Sequence, residues 1–220
     1  MLSLSPMDHR PEWMSKLRND DLAIKHAGFE EFMDEWQASI YGFLRRMLGS
    51  HDDAADASQE TFIQVLKSFD SFREDAAFAS WIYTIARRKG YDILRSKQKH
   101  KHADLDDSME NSWNHVLQDP HFTGDEVQAK LMAAVASLPP KQREVFILRY
   151  FEEMPYEMMS RICGTSEGAL KASYHHAKNK IESHLQFHIE DRPGGIELNL
   201  ESFQPSQIRV HLHSTSNEKD

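Results

Sequence analysis

The residues from Phe72 to Lys101 constrain this chain more than any other stretch. Phe78, Trp81, Ile82, Ile85, Ala86 and Ile93 recur at helical spacing, so this helix needs a partner surface for one face. The same segment then turns cationic. Residues 87–102 carry seven Lys or Arg against one acid, Asp92, for a net of +6. Such a helix belongs at the rim of a helical core, with its first half buried and its second half in water. The basic end reads equally as a solvated polar terminus or as a surface for nucleic acid. A short polar loop, Arg73-Glu74-Asp75-Ala76-Ala77, precedes it.

The segments before it supply the partner surface. Phe29, Phe32, Met33, Trp36, Ile40, Phe43, Leu44 and Met47 fall three or four apart, which predicts an amphipathic helix ending at Gly49. Asp52 and Asp53 suit the start of the next helix. That helix carries Ala55, Phe62, Ile63, Val65, Leu66 and Phe69, and its other face shows Asp56, Gln59, Glu60 and Lys67. Those polar residues read as a solvated face or as a docking surface. No strand-like alternation and no glycine-rich phosphate loop interrupts this run. Residues 29–101 are therefore expected to form one all-α unit, preceded by a loose polar leader over 1–28 containing Pro6 and Pro11.

Charge argues against nucleic acid only when it is summed. The whole chain is −9, yet residues 103–126 alone hold seven acids and no Lys or Arg. The local field governs phosphate attraction, so the total does not exclude DNA. The acidic stretch 102–127 has the composition of a linker. A second helical unit, 128–187, follows. Val127, Leu131, Val135 and Leu138 lead to the Pro139-Pro140 break, with Pro140 suited to a first helical turn. Pro155 opens a short helix to Ile162, Cys163-Gly164-Thr165 forms a tight turn, and Ser166 caps a last helix with the inner stripe Leu170, Tyr174, Ala177, Ile181 and Leu185. Short helix, glycine turn and second helix give the outline of a helix-turn-helix, though ordinary α-hairpins share it. Its outer face offers Lys171, Ser173, His175, His176, Lys178 and Lys180, side chains able to donate to bases and phosphates.

The order of these segments resembles an extracytoplasmic-function (ECF) sigma factor of bacterial RNA polymerase. In the first unit the resemblance rests on Asp56-Ala57-Ser58-Gln59-Glu60-Thr61-Phe62, on Phe78 to Arg87, and on Asp92-Ile93-Leu94-Arg95. In the second it rests on Leu138 to Phe146 and on Ser166 to Lys171. The resemblance implies two small helical domains, sigma region 2 and the region 4 helix-turn-helix, joined by the acidic linker. It implies that Asp56, Gln59, Glu60 and Phe62 contact core RNA polymerase. It also implies that the loop Phe72–Phe78 captures an unpaired base of the minus-ten element, with Phe72, Arg73, Phe78, Arg87, Arg88, Lys89 and Arg95 at melted promoter DNA. Ser166, Glu167, Lys171, Ser173, His175, His176 and Lys178 would read the double-stranded minus-thirty-five element. An anti-sigma factor is the further partner implied. The chain departs from the family pattern at Arg88, where Asn is common, at Glu157-Met158-Met159 in place of Glu-Ile-Ala, and near Ser173 and His176, where arginines are usual.

Other classes fit less well. Thirteen histidines invite a metal, but His184 and His188 lack a Glu between them of the zinc-protease kind and a clear third ligand. No nucleophile elbow, Walker or dinucleotide motif is present, so neither catalysis nor a cofactor is expected. The lone Cys163 excludes an internal disulfide, and mean hydropathy is −0.65, with no apolar run long enough to cross a membrane. A cytoplasmic binding protein with no secretory signal and no membrane insertion is expected. The competing reading is a stand-alone helix-turn-helix regulator acting as a homodimer without polymerase, which has no need of the Asp56–Phe62 motif. Residues 188–220 are a C-terminal extension whose alternating runs, Ile196-Leu198-Leu200 and Ile208-Val210-Leu212, read as a short hairpin or as disordered chain.

Overall fold

Two short residues set where the long first helix begins and ends. In the computed structural model, which describes residues 11–72, 78–100 and 126–187, Asp21 accepts hydrogen bonds from the Ala23 and Ile24 amides, at 2.8 and 3.5 Å. Gly49 closes the helix at a φ of 78°, a left-handed conformation that costs glycine nothing. Between them α2 runs Leu22–Leu48. Ahead of it lies α1, Glu12–Leu17. The leader expected to be loose thus holds a helix over Glu12–Leu17 and the first turns of α2 from Leu22. Trp13 and Leu17 stand four apart and are both buried, with Met14 partly buried against the same core, and this gives a six-residue helix a reason to fold.

Helix α3 spans His51–Ser68 and ends in a 3-10 turn, Phe69–Ser71. Helix α4 spans Phe78–His100. Ser50, rather than Asp52 or Asp53, caps α3 through the Asp53 amide at 3.4 Å, while the two acids occupy its first turn, where the helix dipole favours them. Helices α2, α3 and α4 close on a largely aromatic core in which Phe32, Phe62, Phe69, Phe72 and Phe78 are all buried. At Gly90 of α4 an added Cβ would meet Met47 Sδ at 2.9 Å, so the α2–α4 crossing depends on the missing side chain.

The second unit comprises α5 (Glu126–Ser137), α6 (Pro140–Phe146), α7 (Tyr156–Cys163) and α8 (Glu167–Phe187). Pro139 precedes α6 and Pro140 takes its first position. Helix α6 continues into a π-helical turn, Ile147–Phe151, closed by the Glu152 amide bonding the Ile147 carbonyl at 3.1 Å. Gly164, at a φ of 65°, makes the turn between α7 and α8, and Ser166 accepts from the Ala169 amide at 3.4 Å. No strand occurs among the described residues, and none of the helices is long and apolar enough to cross a membrane. Residues 101–125, which include most of the acidic linker, and residues 188–220 lie outside the described residues.

The two units meet through charge buried at their contact. Arg46 of α2 faces Glu152 at 3.3 Å and lies over the Phe151 ring at 4.5 Å, while Tyr83 of α4 donates its hydroxyl to the same carboxylate at 2.5 Å. One helix turn along, Arg87 Nε donates to Glu144, and the Tyr91 hydroxyl donates to it at 2.8 Å. Arg143 donates to the Met47 carbonyl at 2.9 Å, satisfying an acceptor left open at the end of α2.

Candidate polymerase and nucleic-acid interfaces

Helical periodicity places Asp56, Gln59 and Glu60 together on the solvent face of α3, one turn apart. All three are exposed. Phe62 departs from its expected role. It is 6 % exposed and packs edge-to-face on Phe32 at 5.7 Å, so its side chain belongs to the aromatic core behind the acidic face. Leu66, two turns beyond Gln59 and 40 % exposed, is an apolar residue this face does present.

At the rim of the same unit the loop 73–77, and with it Arg73, lies outside the described residues, but both of its ends are defined. Phe72 and Phe78 pack against each other at 5.3 Å, nearly perpendicular, and both are buried. Neither ring has an open face on which a base could stack. Trp81, expected in the core, is only partly buried and lies against Phe72 at 4.8 Å.

The cations of α4 divide into two groups. Arg88 is exposed, Lys89 reaches Glu60 at 3.1 Å, and Arg95 is exposed and pairs with Asp92 on its own helix. Arg87 faces the other way, engaged by Glu144, a carboxylate only 2 % exposed. Burial works against its charge, but Glu144, with smaller contributions from Cys163 and Tyr91, leaves the guanidinium above its ordinary pKa. Burial, then Glu144, raises the Tyr91 phenol as well. Burial pushes the neighbouring Cys163 thiol up to about 12, with Glu144 adding to the rise. At the other pair burial raises Glu152 above the usual carboxylate range in spite of Arg46 and Tyr83. Of the four α4 cations assigned to melted DNA, then, three are outward and Arg87 is held at the contact between the units.

The outward stripe of α8 is Glu167, Lys171, His175, His176 and Asn179, all exposed. Its inner stripe of Leu170, Ala177, Ile181 and Leu185 is buried, and Tyr174 stacks on Phe146 at 5.7 Å. Lys171 lies 3.6 Å from Glu167 and over the Tyr156 ring at 5.4 Å. Ser173 and Lys178 sit on the flanks, partly buried, with Lys178 3.6 Å from Glu182. His175 meets Asn179 at 3.3 Å. Sequence reasoning passed over Asn179, whose signal was its place one turn beyond His175. It also passed over all of α1, whose signal was the Trp13–Leu17 spacing after Pro11. No group of three or more metal-ligating side chains occurs among the described residues.

Comparison with known proteins follows this division. Sigma-70 region 2 matches residues 32–100, and Sigma-70 region 4 matches residues 128–181. The ECF RNA polymerase sigma factor SigW of Bacillus subtilis is 25% identical over 166 residues, covering 72% of this chain and 89% of that protein. EcfG of Rhodopseudomonas palustris, an ECF RNA polymerase sigma factor, is 28% identical over 147 residues, covering 67% of this chain and 79% of that protein. The fold is that of the sigma factor RpoE from Bartonella quintana, solved in complex with the anti-sigma factor NepR. The TM-score is 0.61 at 24% identity, over 74% of this chain and 98% of that one.

Proposed function

The chain belongs to the ECF sigma factors, the promoter-specificity subunits of RNA polymerase, and from that premise we propose how its surfaces divide the work. The α3 face of Asp56, Gln59 and Glu60, with Leu66 beside it, docks on core polymerase. Loop 72–78 and the cations Arg88, Lys89 and Arg95 hold the melted minus-ten strand. The outward face of α8 enters the major groove of the minus-thirty-five element with its N-terminal half first. The domains run 29–101 for region 2 and 128–187 for region 4, with α1 an addition ahead of region 2 in place of a loose leader. The chain acts in the cytoplasm as a DNA-recognition subunit rather than as an enzyme, and an anti-sigma factor restrains it.

The observation that carries this reading is the presence of three outward faces, acidic on α3, basic on α4 and mixed on α8, the first two adjoining where Lys89 meets Glu60. A regulator that worked as a homodimer would use the third alone. Arg87 joins the DNA-binding set when a phosphate displaces the Glu144 carboxylate, an exchange of one charge-assisted hydrogen bond for another. The test is paired. Replacing Gln59 and Glu60 by Ala weakens binding to core polymerase, read by fluorescence anisotropy of labelled chain, and leaves helical content intact. Normal affinity in that variant moves the interface off α3.

A further inference from the structure

The outward side of α8 is graded in size as well as in charge. Gly168 and Ala172 are exposed on its first two turns, and a Cβ added at Gly168 would meet nothing within 4 Å. Helical spacing sets them on one ridge with His175, His176 and Asn179, while Lys171 and Lys180 stand to either side. Small residues at the start of a helix let its backbone come close to a surface, so the side chains that follow on the ridge reach deepest. Here those are two adjacent imidazoles, both exposed, with ring centroids 6.2 Å apart. Asn179 lies 3.3 Å from His175 Nε2 and steadies the first of them.

Two of the three lysines of this helix are already matched by acids one turn away. Lys171 lies 3.6 Å from Glu167 and Lys178 lies 3.6 Å from Glu182, while Lys180 donates to Gln142 of α6 at 3.0 Å. Tyr156 of α7 presents its ring to Lys171, and Arg149 of the π turn covers the same ring at 5.1 Å. On the other helices packed against α8, Glu157 and Arg161 of α7 pair with each other, Lys141 of α6 is exposed and Lys130 of α5 is buried. The contacts of the two imidazoles are with Asn179 and with each other. An anion that meets the ridge therefore finds there a capacity for positive charge that no neighbouring acid has taken up, and that depends on pH.

We propose that His175 and His176 make binding of the minus-thirty-five duplex proton-linked, the complex holding about one proton more than its separate parts. The inference rests on the reading of α8 as the helix that enters that duplex. An imidazole changes charge between pH 5 and 8. A phosphate or a base acceptor within hydrogen-bond reach favours the protonated form, in which both ring nitrogens donate. Two imidazolium charges 6.2 Å apart repel, so the second proton is harder to add than the first. A group whose protonation is favoured in the complex strengthens binding at low pH, and that gain is lost as pH rises through its value in the complex. Upstream recognition by this chain is thus strongest in mildly acidic solution.

The probe is a double-stranded upstream fragment selected from a random library by the full chain bound to core polymerase, with affinity read by anisotropy at fixed ionic strength. Wild type binds it about tenfold more tightly at pH 6 than at pH 8, the change expected when one imidazole is protonated in the complex. Calorimetry at pH 7 in buffers of different ionisation heat gives an uptake of about one proton. His175→Gln with His176→Gln, which keeps neutral hydrogen-bonding side chains, flattens the profile at the weak end. His175→Arg with His176→Arg, whose charge is fixed, flattens it at the tight end. Both positions are exposed, so helical content stays that of wild type in each variant. A wild-type affinity constant to within about twofold from pH 6 to 8, with Lys171→Ala still weakening binding, overturns the proton linkage and leaves the reading of α8 intact. A pH response undiminished in the Gln variant moves the linkage to other groups and likewise overturns it. A library from which no fragment is enriched, or a fragment whose affinity none of these variants changes, takes α8 off the duplex and the proposal with it.

Discussion

Replacing Glu152 by Ala opens the contact between the two helical units. The Glu152 and Arg46 side chains are each 10% exposed and 3.3 Å apart, and Tyr83 donates to the same carboxylate. Removing the acid takes this carboxylate away from a buried guanidinium and phenol, a loss of about 3 kcal/mol for a pair so placed. That cost cannot exceed the free energy holding the units together, because past that point they part and Arg46 is solvated. The effect is therefore read as opening rather than as global unfolding. A shift of about 3 kcal/mol raises the open population about 150-fold. Cys163, which borders Arg87 and Glu144 at this contact, supplies the assay. With its thiol pushed up to about 12, the thiolate fraction at pH 8 is about 1 in 10,000, against about a quarter for an ordinary thiol. Iodoacetamide should therefore modify wild type about a thousandfold more slowly than the same chain in denaturant, and Glu152→Ala about a hundredfold faster than wild type. Adding Arg46→Met should return the rate toward wild type, since the stranded charge is gone. A Glu152→Ala rate within twofold of wild type, at unchanged helical content, would refute the reasoning.

Further expectations concern the DNA surface and alkaline pH. Lys171→Ala and Lys178→Ala together should reduce the salt slope of upstream-element binding by about one counterion per lost phosphate contact, with Lys171 giving the larger share because Lys178 is partly buried beside Glu182; an unchanged slope places another face of α8 in the groove. Burial, with Tyr174 beside it, raises the Tyr150 phenol to about 12. A folded pKa above the unfolded value gives stability that is whole below about pH 10 and is lost as pH rises toward 12. Denaturation midpoints measured from pH 9 to 11.5 should fall more steeply for wild type than for Tyr150→Phe, and parallel profiles would contradict the assignment.

What the sequence made legible was whatever a single helix decides for itself. The α2 stripe from Phe29 to Met47, the stop at Gly49 and the Gly164 turn each depend on residues a few positions apart, and each stands where periodicity and glycine geometry put it. The inner stripe of α8 did so too. Phe62, Phe72 and Phe78 were harder, because an aromatic ring is equally suited to a docking face, a stacked base or a core, and only the packing around it decides. Helix α1 escaped because six residues with three apolar side chains, Trp13, Met14 and Leu17, carry almost no periodic signal. The π turn escaped because Ile147 to Phe151 is apolar at four of five positions, which leaves no face to read. Beyond reach were the pairs that join the units. Arg46 and Glu152 are 106 residues apart, and Arg87 and Glu144 57 apart, so no local pattern links them. That is why Arg87 read as one more cation of a DNA surface.

We expect this chain to give RNA polymerase its promoter choice by docking through α3 and meeting DNA through α4 and α8. Run-off transcription from a promoter library, with purified core polymerase and this chain, tests it most directly. The account predicts starts at a defined set of promoters that appear only when both are present and that are lost with Gln59→Ala, Glu60→Ala. Tight duplex binding by a homodimer, with no starts and no affinity for core polymerase, would contradict it.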